Sequence, residues 1–311
     1  MSIWNEFNWG TANWTAEDTT ALPVIELLEY IDARGNVTDL STIMDEQYKE
    51  GIDGRFMPPM ESLAESTPGQ DGAVYRETLA MPRQLMVPVA YITDGVTAMR
   101  IRLRQMAQAL NPKRGVGKLR VVTEDGLDRY INCAYEGGME SDTDVGDLGW
   151  YKRVVYTFRA WDPYWYNVNP VVRPPDKIAS NNATFFPTPP FRLGSSTIFT
   201  SFTQQNLGDV EAWPIWTITG PGNSIRLTNE SSGGAISFGS YSLPENGLII
   251  IDSRPGHKTV TDGFGNNLWP YVDGALWPLV DGTNEIAIEM LNSSTESSSI
   301  QLTFSERFLG V

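Results

Sequence analysis

The sequence predicts a mainly β protein in two parts: an α+β first half, with one helix on antiparallel sheets, and a β-sandwich second half. Three observations predict it. Apolar residues alternate with polar ones in many short runs, the period switches to three and four once only, over residues 96–110, and prolines crowd a single stretch, residues 167–190. The boundaries that follow are residues 1–166 for the first domain, 167–190 for a Pro-rich, extended connector and first strand region, and 191–311 for the second domain. At 311 residues the chain is long enough for two cores of ordinary size.

The first domain opens with an aromatic arm, Trp4, Phe7, Trp9 and Trp14 among asparagines. It either folds onto its own domain or docks on a neighbour. Residues 24–32 suit helix or strand by composition, but the Arg34-Gly35-Asn36 turn and the run at residues 37–40 favour a hairpin. Residues 45–72 hold Pro58-Pro59 and Pro68-Gly69 among acids and methionines. That many breaks predict a long loop without regular structure, either a surface loop or a reach toward a neighbouring subunit. Residues 76–92 read as edge strands, because Pro82 and Pro88 would not be tolerated in a central one.

After Asp94-Gly95, the residues Val96, Met99, Leu103, Met106 and Leu110 line one face of a helix that Asn111-Pro112 ends. Arg100 and Arg104 lie beside that stripe and Ile101 points away from it. Such a face is either simply solvated or a subunit contact. Residues 118–123 and 130–135 form a hairpin around Asp125-Gly126, and residues 151–160 alternate as a last strand. Asp142, Asp144 and Asp147 share one loop whose spacing fits no complete calcium motif.

In the second domain, strand-like runs occur at residues 196–202, 213–219, 224–229, 235–238, 247–252, 257–261, 284–290 and 299–304. Trp213 and Trp216 are three apart, which places them on opposite faces of a strand. The segment Trp269-Pro270-Tyr271-Val272-Asp273-Gly274 is echoed by Trp277-Pro278-Leu279-Val280-Asp281-Gly282.

Composition excludes several functions. The formal net charge is −15, which repels phosphate and removes counterion release as a source of DNA affinity. His257 is the single histidine and Cys133 the single cysteine, so no intramolecular disulfide forms and no transition-metal site of the usual kind assembles. His257 reads as a solvent-facing residue at a strand start. No cofactor is expected: Gly115-Val116-Gly117 follows a helix, where a phosphate loop would precede one. Neither a secretory signal nor a membrane-length apolar run is visible, which predicts folding in a cytoplasm.

The succession of helix, Leu110-Asn111-Pro112, Gly115-Val116-Gly117, Leu119 and Asp125-Gly126 continues with Glu136-Gly137-Gly138 and with Phe158-Arg159-Ala160-Trp161-Asp162-Pro163. In this order, and with Asp281-Gly282-Thr283-Asn284 late in the chain, it resembles the siphophage distal tail (Dit, or tail-hub) proteins, a minor tail protein family. The resemblance implies a belt domain that closes a homohexameric ring, and a galectin-like β-sandwich hung outside it. It also implies a place in the virion at the tail tip or baseplate hub, with the tail tube, tape-measure and tail-associated tip proteins as partners. DNA would pass through the ring without specific binding. No catalytic residue is expected. Arg100, Ile101 and Arg104 are the candidate oligomer contact. The rival reading is carbohydrate binding, with Trp269, Tyr271 and Trp277 as a platform for host glycans.

Overall fold

The computed structural model describes residues 25–41, 52–66, 68–69, 71–140, 151–177, 197–294 and 297–311. The aromatic N-terminal arm, the acidic loop at residues 142–147 and most of the Pro-rich stretch lie outside these residues. The chain divides into two compact units, one running to Pro163 and joined by Val311, the other Tyr164–Gly310.

The first unit holds strands β1 (Ile25–Ile31), β2 (Val37–Asp39), β3 (Met60–Glu65), β4 (Val74–Ala80), β5 (Arg83–Ile92), β6 (Gly117–Thr123), β7 (Asp128–Gly137) and β8 (Tyr151–Ala160), and helix α1 (Val96–Ala109). Hydrogen bonding orders six of them β2-β1-β6-β7-β8-β5, all antiparallel. Alternation explains the pleat: in β5, Leu85, Val87, Val89 and Tyr91 are buried, facing Phe158, Tyr156 and Val154 of β8. The hydroxyls of Tyr91 and Tyr156 bond to each other inside this core. Burial pushes the Tyr91 phenol up to about 12. Helix α1 buries Met99 and Met106, with Leu110 just beyond its end, as its period requires. Val96 departs from that reading. It sits in the first turn and stays exposed.

The β1–β2 turn is held by Asp32, whose carboxylate accepts from the backbone N–H groups of Arg34 and Asn36 and from the Asn36 amide, each at 2.9 Å. Arg114 adds an ion pair at 3.3 Å. At Gly138, with φ of 118°, an added Cβ would lie 1.9 Å from the Val155 carbonyl oxygen. Only glycine fits, so the Glu136-Gly137-Gly138 motif is a close approach of β7 to β8.

The expectation of an unstructured loop at residues 45–72 is corrected. Residues 60–65 form β3, which pairs with β4 from Met60↔Ala80 to Glu65↔Val74 as a separate two-stranded hairpin. All six residues of β3 and six of the seven in β4 are exposed. A strand wet on both faces needs no alternation, so nothing in its pattern marks it.

The second unit contains β9 (Trp165–Asn167), β10 (Val171–Lys177), β11 (Thr197–Asn206), β12 (Ile215–Thr219), β13 (Gly222–Asn229), β14 (Gly234–Leu243), β15 (Leu248–Asp252), β16 (Thr259–Asp262), β17 (Asp273–Gly274), β18 (Gly282–Leu291), β19 (Ser299–Phe304) and β20 (Arg307–Phe308). Two five-stranded sheets, β10-β19-β12-β15-β16 and β11-β18-β13-β14-β17, enclose one core. Trp216, Phe238, Ile251, Ile288 and Leu302 meet there from both sheets. Short β9 pairs with β20.

The stretch at residues 167–190, read as an extended connector and first strand region, does contain a strand. Its residues 171–177 are β10, bonded to β19. Pro174 and Pro175 are accommodated because β10 is an edge strand, and its register shifts between Arg173 and Asp176, where the prolines sit.

Candidate assembly interface

Strand β5 ends the six-strand order, so one of its edges has no strand beside it among the described residues. Met86 shows which backbone groups face outward. Its N–H donates to Asp53 O at 3.1 Å and its carbonyl accepts from Asp53 N at 2.9 Å, so both point away from β8. By the two-residue period of the strand, Gln84, Pro88, Ala90 and Ile92 share that orientation. Pro88 therefore sits where its missing N–H breaks no bond to β8.

The first half of this edge is covered. Buried Arg83 donates from Nη1 to the carbonyls of Gly54 (3.1 Å) and Phe56 (2.6 Å), which straps residues 53–56 against β5. Gly54, with φ of 79°, lies so close that a Cβ would come within 2.3 Å of the Gln84 carbonyl oxygen.

The second half is open. Beside it a groove of about 560 Å³ runs between residues 90–93 and one stripe of α1 made by Ala98, Ile101, Arg102 and Gln105. Ile92 is 74% exposed at one side and Ile101 56% exposed at the other. The sequence reading placed Arg100, Ile101 and Arg104 together as a contact. All three are exposed, but Ile101 alone lines the groove, with Arg102; Arg100 and Arg104 lie on the adjoining helical surface. The missed residue is Arg102. Its spacing from Ala98, one turn away, puts the two on one helical stripe, but nothing in the sequence says which stripe faces β5.

Helix α1 carries three arginines and no carboxylate in a chain of net charge −15. Among the described residues none of the three forms an ion pair. By contrast, Arg120 is clamped between Asp128 (2.7 Å) and Glu29 (3.0 Å) on the sheet.

In the sandwich, the proposed aromatic platform comes apart. Trp277 is 5% exposed and packs edge-on against Trp216, ring centroids 5.6 Å apart. It is core, because the Gly234 backbone lies against its ring and a Cβ at Gly234 would come within 2.6 Å of it. Trp269 and Tyr271 stay partly exposed on a single 3-10 turn, Trp269–Tyr271, with Tyr271 resting on Tyr241. Of the other tryptophan pair, Trp216 is core and Trp213 only half-buried, under Lys258. His257 is exposed, as its sequence context suggested, but it lies in the turn before β16 and not at the strand's start.

Asn284 follows the second echo by two residues. This buried side chain accepts from Val280 N (2.9 Å) and from the Asn229 amide (2.9 Å), and donates to Val280 O (2.8 Å). The Asp281-Gly282 turn is thereby fixed to the core. No three His, Cys, Asp or Glu side chains gather as metal ligands among the described residues. No helix among them is long and apolar enough to cross a membrane.

Comparison with known proteins agrees with this architecture. Residues 38–186 match the phage tail protein RIFT-related domain. No curated protein matches in sequence. Among solved structures, the Dit protein (gp 19.1) of phage SPP1, a paradigm of the hub adsorption apparatus in phages infecting Gram-positive bacteria, superposes with a TM-score of 0.62. It is 16% identical, and the match covers 90% of this chain and 99% of that one. Two chains of the phage p2 baseplate in its activated conformation, with Sr and with Ca, give TM-scores of 0.46 and 0.45 at 12% and 13% identity. These cover 89% and 91% of this chain and 97% and 98% of theirs. Residues 38–186 thus match the phage tail protein RIFT-related domain, and the chain shares the mostly β fold of the SPP1 Dit protein.

Proposed function

We propose that the chain is a structural component of a siphophage tail tip, a hub whose first unit closes into a six-membered ring between the tail tube and the baseplate. The carrying observation is the end-to-end match to the Dit fold, with a tail-protein domain over its first half. The ring leaves a passage for DNA, and a surface of net charge −15 suits a wall past which phosphate must slide. The sandwich, galectin-like in this reading, hangs outside. Tail tube, tape-measure and tail-associated tip proteins are the partners, and the protein acts by fitted surfaces with no reacting group. Light scattering on the purified protein, over a wide concentration range, tests this. A mass of about six 34.6 kDa chains is expected, and a single-chain mass at every concentration would sink it.

A second reading, host glycan binding by the sandwich, keeps some support from the exposure of Trp269 and Tyr271. A flat ring on an outer turn can stack on a sugar. Loss of glycan-array binding on Trp269→Ala is the expected result, and a parent protein that binds no glycan ends the idea.

A further inference from the structure

The β3–β4 hairpin and the β5–α1 groove are complementary. In the regular part of the hairpin, the cross-strand pairs Glu61↔Leu79 and Leu63↔Glu77 put two leucines and two carboxylates on one face in a checkerboard. Leu63 and Leu79 are each 41% exposed. Glu65 is already paired with Arg76, whereas neither Glu61 nor Glu77 has an ion pair among the described residues. The groove offers the opposite set: exposed Ile92 and Ile101, lone Arg102, and outward backbone groups at Ala90 and Ile92. A two-stranded hairpin that is wet on both faces is marginal in water, so its order calls for a surface to rest on.

Among the described residues that surface is not on its own chain. The hairpin joins β5 at its first residues through Met81-Pro82, and the groove lies at the last residues of the same strand. Seven to nine residues of extended chain separate them by about 23–30 Å. With both hairpin faces exposed, it does not fold back along β5.

We propose that the β3–β4 hairpin of one copy docks in the β5–α1 groove of the next, Leu63 and Leu79 against Ile92 and Ile101, with Glu61 and Glu77 facing Arg102 and its neighbours. Donor and acceptor are different patches at opposite ends of one strand, so the contact is head-to-tail and repeats until the rotation closes. This rests on the ring reading above and assigns its contact.

The test uses two full chains, each missing one half of the contact. Met60 and Ala80 are cross-strand partners, so residues 61–79 can be replaced by a two-residue Asn-Gly link without touching the core. The groove is spoiled by Ile101→Asp with Arg102→Glu, both on the exposed side of α1. Circular dichroism and thermal unfolding establish that each variant is folded. Alone, each is expected to lose the ring and run as a single chain in light scattering; mixed in equal amounts, they form a two-chain species that cannot grow. Rings from the hairpin-less variant, or a mixture that stays single-chain, overturn the docking and leave the hub reading intact. A parent protein that is itself single-chain overturns both.

Discussion

The two units expose their apolar side chains in different arrangements. The sandwich encloses Trp216, Trp277 and Phe238 between its sheets, and the ones it leaves exposed, Leu207, Phe264 and Trp269 among them, stand apart on separate turns and loops, whereas those of the first unit gather on one hairpin face and along one groove. The first unit has an enclosed core too, but it leaves Leu63, Leu79, Ile92 and Ile101 in water. Buried apolar area stabilises by about 25 cal/mol per Å², so the area this set leaves exposed contributes nothing to folding until something covers it. The difference separates surface that completes a fold from surface held for another chain.

The sharpest way to break this contrast is to truncate the two echo tryptophans. Trp277→Ala opens a cavity between the sheets and should cost about 3–5 kcal/mol in chemical denaturation. Trp269→Ala, on the outer turn, should stay within about 0.5 kcal/mol. Equal costs would mean that the two arms of the echo are packed alike.

Asn284→Ala comes next. It strips the part-buried Val280 N–H of its acceptor and the buried Asn229 amide of its better one, for about 2–4 kcal/mol in the same measurement. Within the first unit, Tyr156→Phe leaves the Tyr91 hydroxyl buried without its partner and should cost about 1–3 kcal/mol. The double change to Phe at both positions should lie nearer the parent than the single one. A double variant as unstable as the sum of the singles would show that the hydroxyls do not act as a pair.

The β1–β2 turn gives a pH signature. Asn36, first through its amide and then its backbone N–H, with Arg34 and Arg114 assisting, holds the Asp32 carboxyl down at about 2. Its unfolded value is about 3.9. The folded value is the lower, so this stabilisation is present above about pH 4 and is lost as pH falls toward 2. Asp32→Asn should flatten the acid limb of the unfolding curve over that window, read by circular dichroism. An unchanged limb would locate the acid sensitivity elsewhere.

Much of this fold is legible in the sequence because half-buried strands advertise themselves. β8 and β12 alternate, Asp125-Gly126 announces its hairpin, and the three-and-four spacing of Met99, Leu103 and Met106 fixes α1. The parts that escape are those whose constraints are not periodic. β3 is exposed on both faces, so it lacks the pattern of a half-buried strand, and the two prolines of β10 at a sheet edge leave a strand region legible there but not its bounds. The burial of Trp277 follows from the approach of Gly234, a contact between distant segments. Of the groove, Ile101 was readable from its position opposite the helical stripe. Arg102 was not, since only the placement of α1 beside the open end of β5 turns it toward the cleft.

The smallest effect is the most telling for the exposed set. Replacing Leu63 and Leu79 by Ser removes two large apolar side chains, a change that inside the sandwich, at Leu227 for instance, would cost several kcal/mol. On a hairpin already wet on both faces the folding stability should move by only about 0.5 kcal/mol or less, measured on the single-chain form at high dilution. Self-association should weaken at the same time, because the leucines have their apolar partner only across the docked contact. A variant that loses folding stability while assembling as before would place Leu63 and Leu79 in the fold of their own chain and reverse the contrast between the two units.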